Sequence, residues 1–224
     1  MQENLIEGLL LVDKPKGWTS FDVVKKARGI LGIRKIGHAG TLDPMAEGLL
    51  ILMVGKATKK FDDIGRNNKE YWAKITLGNE TDTYDAEGRV TKKHIGKIDL
   101  REAKLIEILK SFEGIQEQTP PKYSALKIGG VPAYKRARKG EDVKIKKREI
   151  FIEKIELVRM SLPDVYLKIV CSSGTYIRTI ALDLGRKLGF GAYLSGLKRV
   201  RIGNFDIKDS VSPDKISVKE LIKI

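Results

Sequence analysis

Few side chains in this sequence could make or break bonds. Among its 224 residues there is one cysteine, Cys171, and there are two histidines, His38 and His94. Cys171 lies in an apolar stretch with no histidine nearby, so it reads as a core residue and not as a nucleophile. No P-loop, no dinucleotide glycines after a strand, no H-E-x-x-H and no G-x-S-x-G is present. Asp43 is the most suggestive acid. It sits in Gly40-Thr41-Leu42-Asp43-Pro44-Met45-Ala46-Glu47-Gly48, where glycines let a backbone approach a ligand and Pro44 sets the chain direction after the acid. Taken alone, such a stretch is more often an ordinary Asp-Pro turn. His38 is open to the same pair of readings, and His94 reads as a surface residue. Arg178, in Ser173-Gly174-Thr175-Tyr176-Ile177-Arg178, falls at a predicted helix start. There it could meet a buried carboxylate, a phosphate, or a surface acid. Tyr71 projects from an apolar strand face and reads as a core tyrosine.

The elements around these residues follow from periodicity. Gly8 to Val12 reads as a short buried strand. Thr19 and Asp22 fit a capping box, with Phe21, Val24, Ala27 and Leu31 on one helical face and Gly32 as the stop. An apolar run from Leu49 to Val54 follows the Asp43 loop. Tyr71, Ala73, Ile75 and Leu77 alternate with Trp72, Lys74 and Thr76, the pattern of a half-buried strand. Asp99 with Glu102 predicts a cap for a helix carrying Leu105, Ile108, Leu109 and Phe112. Glu149 to Val158 and Asp164 to Cys171 are further strands. Ile177, Ile180, Ala181, Leu184 and Leu188 predict a helix that stops at Gly189. Strands and helices mix without regular alternation, so the chain reads as α+β with a largely antiparallel sheet.

Charge narrows the choice of partner. Lys and Arg number 43 against 29 Asp and Glu, a net charge of +14, which suggests a polyanion: nucleic acid first, an acidic membrane surface second. Half of that excess lies between Lys122 and Glu149, where ten basic residues meet three acids. Tyr123 and Tyr134 are interleaved with those cations, and glycines and prolines break the segment up. Arg186 to Arg201 is a second stretch with five cations and no acid. Repeated cations with aromatic faces between them suit a nucleic-acid backbone and its bases. One cysteine excludes a disulfide framework, and two histidines make a His-rich metal centre improbable. No apolar run reaches the roughly 18 residues of a membrane span, and the first residues do not resemble a signal peptide. A cytoplasmic, metal-poor protein is expected.

In order, Gly8-Leu9-Leu10-Leu11-Val12-Asp13-Lys14-Pro15-Lys16-Gly17, Gly37-His38-Ala39-Gly40-Thr41-Leu42-Asp43-Pro44, Lys69-Glu70-Tyr71 and Leu77-Gly78-Asn79-Glu80-Thr81-Asp82-Thr83-Tyr84-Asp85 resemble the TruB family of tRNA pseudouridine synthases. Pro120-Pro121-Lys122-Tyr123-Ser124-Ala125-Leu126-Lys127, then Ser173 to Thr179 and Leu197-Lys198-Arg199 continue the resemblance, which spans roughly residues 5 to 215. It implies the pseudouridine synthase catalytic fold, a central mixed, largely antiparallel sheet flanked by helices, over residues 1–215. The basic segment at about 120–149 would be a thumb-like RNA-binding insertion. Residues 216–224 would be a tail, without the C-terminal PUA-type module usual in bacterial members.

The activity implied is cofactor-free and metal-free isomerisation of a uridine in the tRNA T loop, uridine 55, by a monomer. Asp43 matches the essential aspartate, acting as nucleophile or as the base that starts glycal formation. Tyr71 matches the tyrosine that stacks on the flipped base and is placed to take the C5 proton. Arg178 matches the arginine paired with the aspartate. On the substrate side, His38 matches the base-displacing histidine, Tyr176 and Leu197 match pocket walls, and Lys14 and Pro15 match a motif supporting the active-site loop. The basic surface expected to meet RNA comprises Lys122, Lys127, Lys135, Arg136, Arg138, Lys139, Lys198 and Arg199. A non-catalytic RNA-binding module would use the same surface without Asp43. A guide-directed relative acting on another RNA is a third reading.

Overall fold

The computed structural model describes residues 6–223. Residues 1–5 of the expected catalytic domain and the last residue of the expected tail lie outside the described residues. Along the chain the elements are β1 (Gly8–Lys14), α1 (Ser20–Leu31), β2 (Ile36–His38), β3 (Glu47–Val54), α2 (Phe61–Gly65), β4 (Lys69–Leu77), β5 (Asn79–Thr81) and β6 (Val90–Lys93). Then come α3 (Glu102–Lys110), β7 (Gly114–Gln118), β8 (Lys127–Ile128), β9 (Val131–Pro132) and α4 (Ala133–Arg138). The last are β10 (Arg148–Ser161), β11 (Asp164–Cys171), α5 (Ile177–Leu188), β12 (Ala192–Ile202) and β13 (Phe205–Asp206). Two compact units form: residues 1–72 with 197–224, and residues 73–196. The division falls inside β4 and β12. Among the described residues no helix is long and apolar enough to cross a membrane.

In the first unit β1 runs antiparallel to β3, with Leu10 opposite Leu52 and Val12 opposite Leu50. Both strands are buried on both faces. Leu10, Val12, Leu50 and Leu52 pack with Val23, Val24, Ala27 and Leu31 of α1, while Leu9, Leu11, Leu49 and Ile51 pack with Ala57, Ile64 and Ile202. Two cores explain the uninterrupted apolar runs, since neither face has water to satisfy. The start of β3 pairs in parallel with β12, Glu47 opposite Lys198 and Gly48 opposite Arg199. Its end pairs antiparallel with β2, His38 opposite Leu52. This parallel pair makes the sheet mixed.

The helix α1 begins as its sequence dictates. Asp22 N–H donates to the Thr19 hydroxyl, and Thr19 N–H donates to the Asp22 carboxylate at 2.8 Å. It ends at Gly32 with φ of 68°. The expected face needs one correction: Ser20 and Val23 join Val24, Ala27 and Leu31 inside, while Phe21 is 59% exposed. A stripe through 20, 23, 24, 27 and 31 points Phe21 to water, where the Arg28 guanidinium covers its ring at 5.7 Å.

In the second unit the strands run in the order β12, β4, β11, β10, β7. Tyr71, Ala73, Ile75 and Leu77 of β4 are buried while Trp72 is exposed, as the alternation predicts. Ile155 of β10 faces Ile169 of β11, and Arg148 of β10 faces Gln118 of β7. α3 packs on β10 and α5. The Asp99–Glu102 cap does not form: α3 starts at Glu102 behind Arg101, with no side-chain cap. Cys171 is fully buried, in keeping with a core role. His94 is half-buried, its ring edge-to-face with Phe190 at 5.1 Å.

Candidate active site

The site residues divide between the two units, and each half has its own construction. In the first unit, β2 leaves β3 at His38; after the Ala39 N–H donates to the Ile51 carbonyl at 2.9 Å, the chain crosses to the start of β3 as the Asp43 loop. That loop lies outside the strands, and Arg199 supplies donors to two of its carbonyls and to Leu49 of β3. Its Nε donates to the Leu49 carbonyl at 2.8 Å, Nη2 to Gly40 at 3.0 Å and Nη1 to Thr41 at 3.4 Å. Arg199 is 1% exposed. It is therefore no part of an RNA-binding surface, because every direction its fork points is filled by backbone. Gly48, at φ of 105°, lies directly against the Arg199 backbone, and a Cβ there would collide with it.

Two further supports act on the loop. The buried Ser20 hydroxyl donates to the Leu42 carbonyl at 3.1 Å and accepts from the Leu42 N–H at 2.8 Å, fixing the residue before Asp43. The Gly17 N–H donates to the Pro44 carbonyl at 2.8 Å, fixing the residue after it. Lys14 closes the turn that presents Gly17: its Nζ donates to the Trp18 carbonyl at 2.6 Å and the Pro15 carbonyl at 3.0 Å. Lys14 is fully buried, so it supports the loop and does not meet substrate. Asp43 itself is half-buried.

His38 is half-buried, with its Nδ1 buried and lacking a hydrogen-bond partner. Burial, and then the positive charge of Arg199, hold its imidazole below the ordinary range, so it is neutral near pH 7. Tyr71 faces inward from β4, 6% exposed. Just before it, Lys69 is buried with its Nζ on the Gly65 and Asn67 carbonyls, each at 2.7 Å. Leu197 and Lys198 are half-buried on β12, and Lys198 lies 3.9 Å from the Glu47 carboxylate.

In the second unit Arg178 is the second residue of α5 and is 3% exposed. Its surface-acid reading is overturned: one partner is the buried carboxylate of Asp85, 3.4 Å from Nη1. Nη1 also donates to the Thr83 carbonyl at 3.1 Å, and Nη2 to the Tyr123 carbonyl at 3.0 Å. Asp85 is held in turn by the Thr83 hydroxyl at 2.6 Å and the Glu87 N–H at 3.0 Å. A buried ion pair is tolerated when its neighbouring donors and acceptors are matched; here backbone carbonyls answer both Nη groups of Arg178, and the Thr83 hydroxyl and Glu87 N–H answer Asp85 Oδ1. Tyr176 precedes the helix, its N–H donating to Gln118 Oε1 at 2.8 Å and its carbonyl accepting from Gln118 Nε2 at 3.1 Å.

The basic segment keeps its charge outside. Lys122, Lys127, Lys135, Arg138 and Lys139 are exposed and Arg136 is half-buried. Some of this charge is answered locally, Lys122 by Asp142 at 3.3 Å and Arg136 by Glu141 at 4.0 Å. The Arg138 guanidinium covers the Tyr134 ring at 5.5 Å.

Sequence reasoning gave no role to Ser20, Gln118, Asp85 or the buried Lys69. Asp85 and Lys69 carried a signal only as members of the ordered motifs, Leu77 to Asp85 and Lys69-Glu70-Tyr71. Among the described residues no group of three His, Cys, Asp or Glu side chains is placed to hold a metal.

Comparison with known proteins places the chain. The model of the TruB family pseudouridylate synthase N-terminal domain matches residues 28–177. The tRNA pseudouridine synthase B of Clostridium kluyveri is 44% identical over 218 residues, 97% of this chain and 75% of that protein. The protein of the same name from Opitutus terrae is 45% identical over 219 residues, 98% of this chain and 90% of that one. A solved chain from a Cbf5-Nop10-Gar1 complex superposes with a TM-score of 0.73 at 31% identity, covering 94% of this chain and 54% of that one. The ordered motifs, the sheet of pseudouridine synthase type and this identity across nearly the whole chain agree: the chain belongs to the TruB family of pseudouridylate synthases.

Proposed function

We propose that this chain converts uridine 55 in the T loop of tRNA to pseudouridine. The C1′–N1 bond breaks, the uracil turns, and a C1′–C5 bond forms; C5 loses its proton and N1 ends protonated. Atoms and electrons balance within the nucleotide, so the stoichiometry calls for no cofactor. Asp43 is the essential carboxylate, as nucleophile or as the base that starts glycal formation. Tyr71 stacks on the displaced base and is placed to take the C5 proton. Arg178 keeps the reacting carboxylate ionised, and His38, Tyr176 and Leu197 receive the base. Taking a base out of an RNA fold costs a few kcal/mol, which stacking on aromatic rings offsets. The exposed cations of residues 120–149, with Lys198, hold the phosphates. On this reading the catalytic domain spans 1–215 and acts as a monomer in the cytoplasm.

The observation that supports this most is the Asp43 loop. Ser20 and Gly17 hold both neighbours of one half-buried acid, and Arg199 holds Gly40 of the same loop, which an ordinary surface turn would not require. Preorganised placement of this kind is where a catalytic carboxylate gains its advantage. The test is Asp43→Asn, assayed by tritium release from tRNA labelled at uracil C5 and by tRNA binding. Conversion should vanish while binding stays within about twofold of wild type, since one neutralised acid removes no phosphate contact. A wild-type chain that binds tRNA and converts no uridine would instead be an RNA-binding module.

A further inference from the structure

Arg148 and Gln118 face each other across the β10–β7 ladder, at the two ends of the basic insertion. Directly opposed residues of an antiparallel pair put their side chains on one face, and both side chains reach Tyr176. Gln118 grips its backbone at N–H and carbonyl. The Arg148 guanidinium lies 4.6 Å from the centroid of the Tyr176 ring. Gly174, at φ of 84°, forms the floor: a Cβ there would come within 3.4 Å of Arg148 Cζ.

Arg148 is half-buried where most cations around it are exposed. Among the described residues no carboxylate lies in ion-pair range of it, and its buried Nε has no hydrogen-bond partner. A planar, weakly hydrated guanidinium is suited to lying on a tyrosine face. The entry to the insertion is tied to the same short segment, through Tyr123 O to Arg178 and Thr119 O to the Thr179 hydroxyl. Both ends of the RNA-gripping insertion therefore meet at residues 176–179.

We propose that Arg148 is a positioning residue for Tyr176, its guanidinium seated on the Gly174 floor and against the ring, tying that ring to the insertion. The inference rests on the proposed function, in which Tyr176 lines the pocket that receives the uracil. A ring free to rotate would leave the base less often in its reactive pose, lowering turnover without weakening the hold on tRNA.

The experiment is single-turnover conversion of tRNA at saturating enzyme, with tRNA affinity measured across a salt series, for wild type, Arg148→Met and Arg148→Lys. Thermal unfolding of each variant is recorded first, and Arg148→Lys serves where Arg148→Met does not fold. Arg148→Met should lower the saturated rate roughly tenfold or more, a size in line with loss of orientation, with affinity within about twofold. Arg148→Lys should recover part of the loss, because an ammonium also sits over a ring. The cost of Arg148→Met should persist beside Tyr176→Phe, which keeps the ring, and disappear beside Tyr176→Leu. If Arg148→Met instead weakens tRNA binding and reduces the salt slope by about one while the saturated rate holds, Arg148 is a phosphate contact and the inference is overturned. Equal rate losses beside Tyr176→Phe and Tyr176→Leu overturn it as well. Failure of the underlying function is distinguishable, because it shows in the wild-type chain before any variant is compared.

Discussion

Replacing Arg199 by methionine separates two roles for one cation. In the structure its guanidinium makes two well-formed hydrogen bonds, to Leu49 O at 2.8 Å and Gly40 O at 3.0 Å, and a longer one to Thr41 O at 3.4 Å. Methionine fills a similar volume but donates nothing, so two buried carbonyls lose their donors at about 1–3 kcal/mol each. Removing a buried charge returns part of that, and a net destabilisation of about 2–4 kcal/mol is expected. For a chain of this size each kcal/mol moves Tm by about 2–4 °C, so Tm should fall by roughly 5–15 °C. The loop that loses its anchor carries Asp43, and a displacement of about 1 Å at a reacting group costs on the order of 100-fold in rate.

The assay is single-turnover conversion at saturating tRNA, beside tRNA affinity at several salt concentrations and a thermal melt. Arg199→Met should lose stability and rate together and leave affinity within about twofold, because the wild-type side chain reaches no solvent. Arg199→Lys should fall between, since one ammonium cannot serve the directions of a fork. A phosphate contact behaves in the opposite way: affinity drops, the salt slope shrinks by about one, and the melt stays put. That second pattern would refute the assignment of Arg199 to the Asp43 loop.

Asp85→Ala should destabilise the chain by about 3–5 kcal/mol, because it removes one partner of a buried ion pair at a site 3% exposed. Asp85→Asn should cost less, keeping an acceptor for Thr83 and Glu87; urea midpoints that scarcely move for Asp85→Ala would show that Arg178 is held well enough by its other contacts. His38 titrates lower folded than unfolded, through burial and the Arg199 charge, whereas an unfolded imidazole titrates near about 6.5. Between those two values the unfolded chain binds more protons, so stability rises with pH there. His38 therefore leaves stability intact above about pH 6.5 and lowers it as the pH falls toward its folded value. Melts of wild type and His38→Gln between pH 7.5 and 5 should show the wild type losing ground to the variant on acidification; a constant or widening advantage would count against the buried neutral imidazole.

Much of the fold was legible because local signals and tertiary packing agree. Thr19 and Asp22 cap α1 as their spacing requires, Gly32 and Gly189 end α1 and α5 with positive φ, and the alternation of 71–77 matches the burial of β4. Where a local signal competed with packing, packing won. Phe21 fits a helical stripe on spacing alone, but Val23 fills the inward position and leaves Phe21 outside. Asp99 and Glu102 have capping spacing, yet α3 starts at Glu102 itself. The strand β12 carries no alternation to read, since Gly196, Lys198, Arg199 and Arg201 interrupt it; its place comes from pairing with β3, a partner about 150 residues away in sequence, a separation that local patterns do not encode. The Asp43 loop was visible as a motif, but the side chains that hold it, Ser20 and Arg199, were not.

The largest misreading concerns charge, and it has a physical cause. A sequence counts cations without saying where their donors go. Lys14, Lys69, Arg178 and Arg199 are 0%, 5%, 3% and 1% exposed, and each donates to backbone carbonyls, most of them in turns or loops: Pro15 and Trp18, Asn67 and the helix-end Gly65, Thr83 and Tyr123, Gly40 and Thr41 with Leu49 of β3. Loop carbonyls have no ladder or helix to accept from, and leaving them unpaired inside the protein is costly. A long cationic side chain can reach several at once, and a charged donor makes each bond about twice as strong as a neutral one. Part of the +14 is thus structural charge that fixes the backbone of the loop carrying Asp43, of the segments at Thr83 and Tyr123, and of the chain leading to Tyr71. The remainder, concentrated outside on residues 122–147, is what a polyanion can meet. Salt should therefore weaken tRNA binding through the exposed group while leaving the buried four unscreened. An effect of ionic strength on the saturated rate as large as that on affinity would contradict this division.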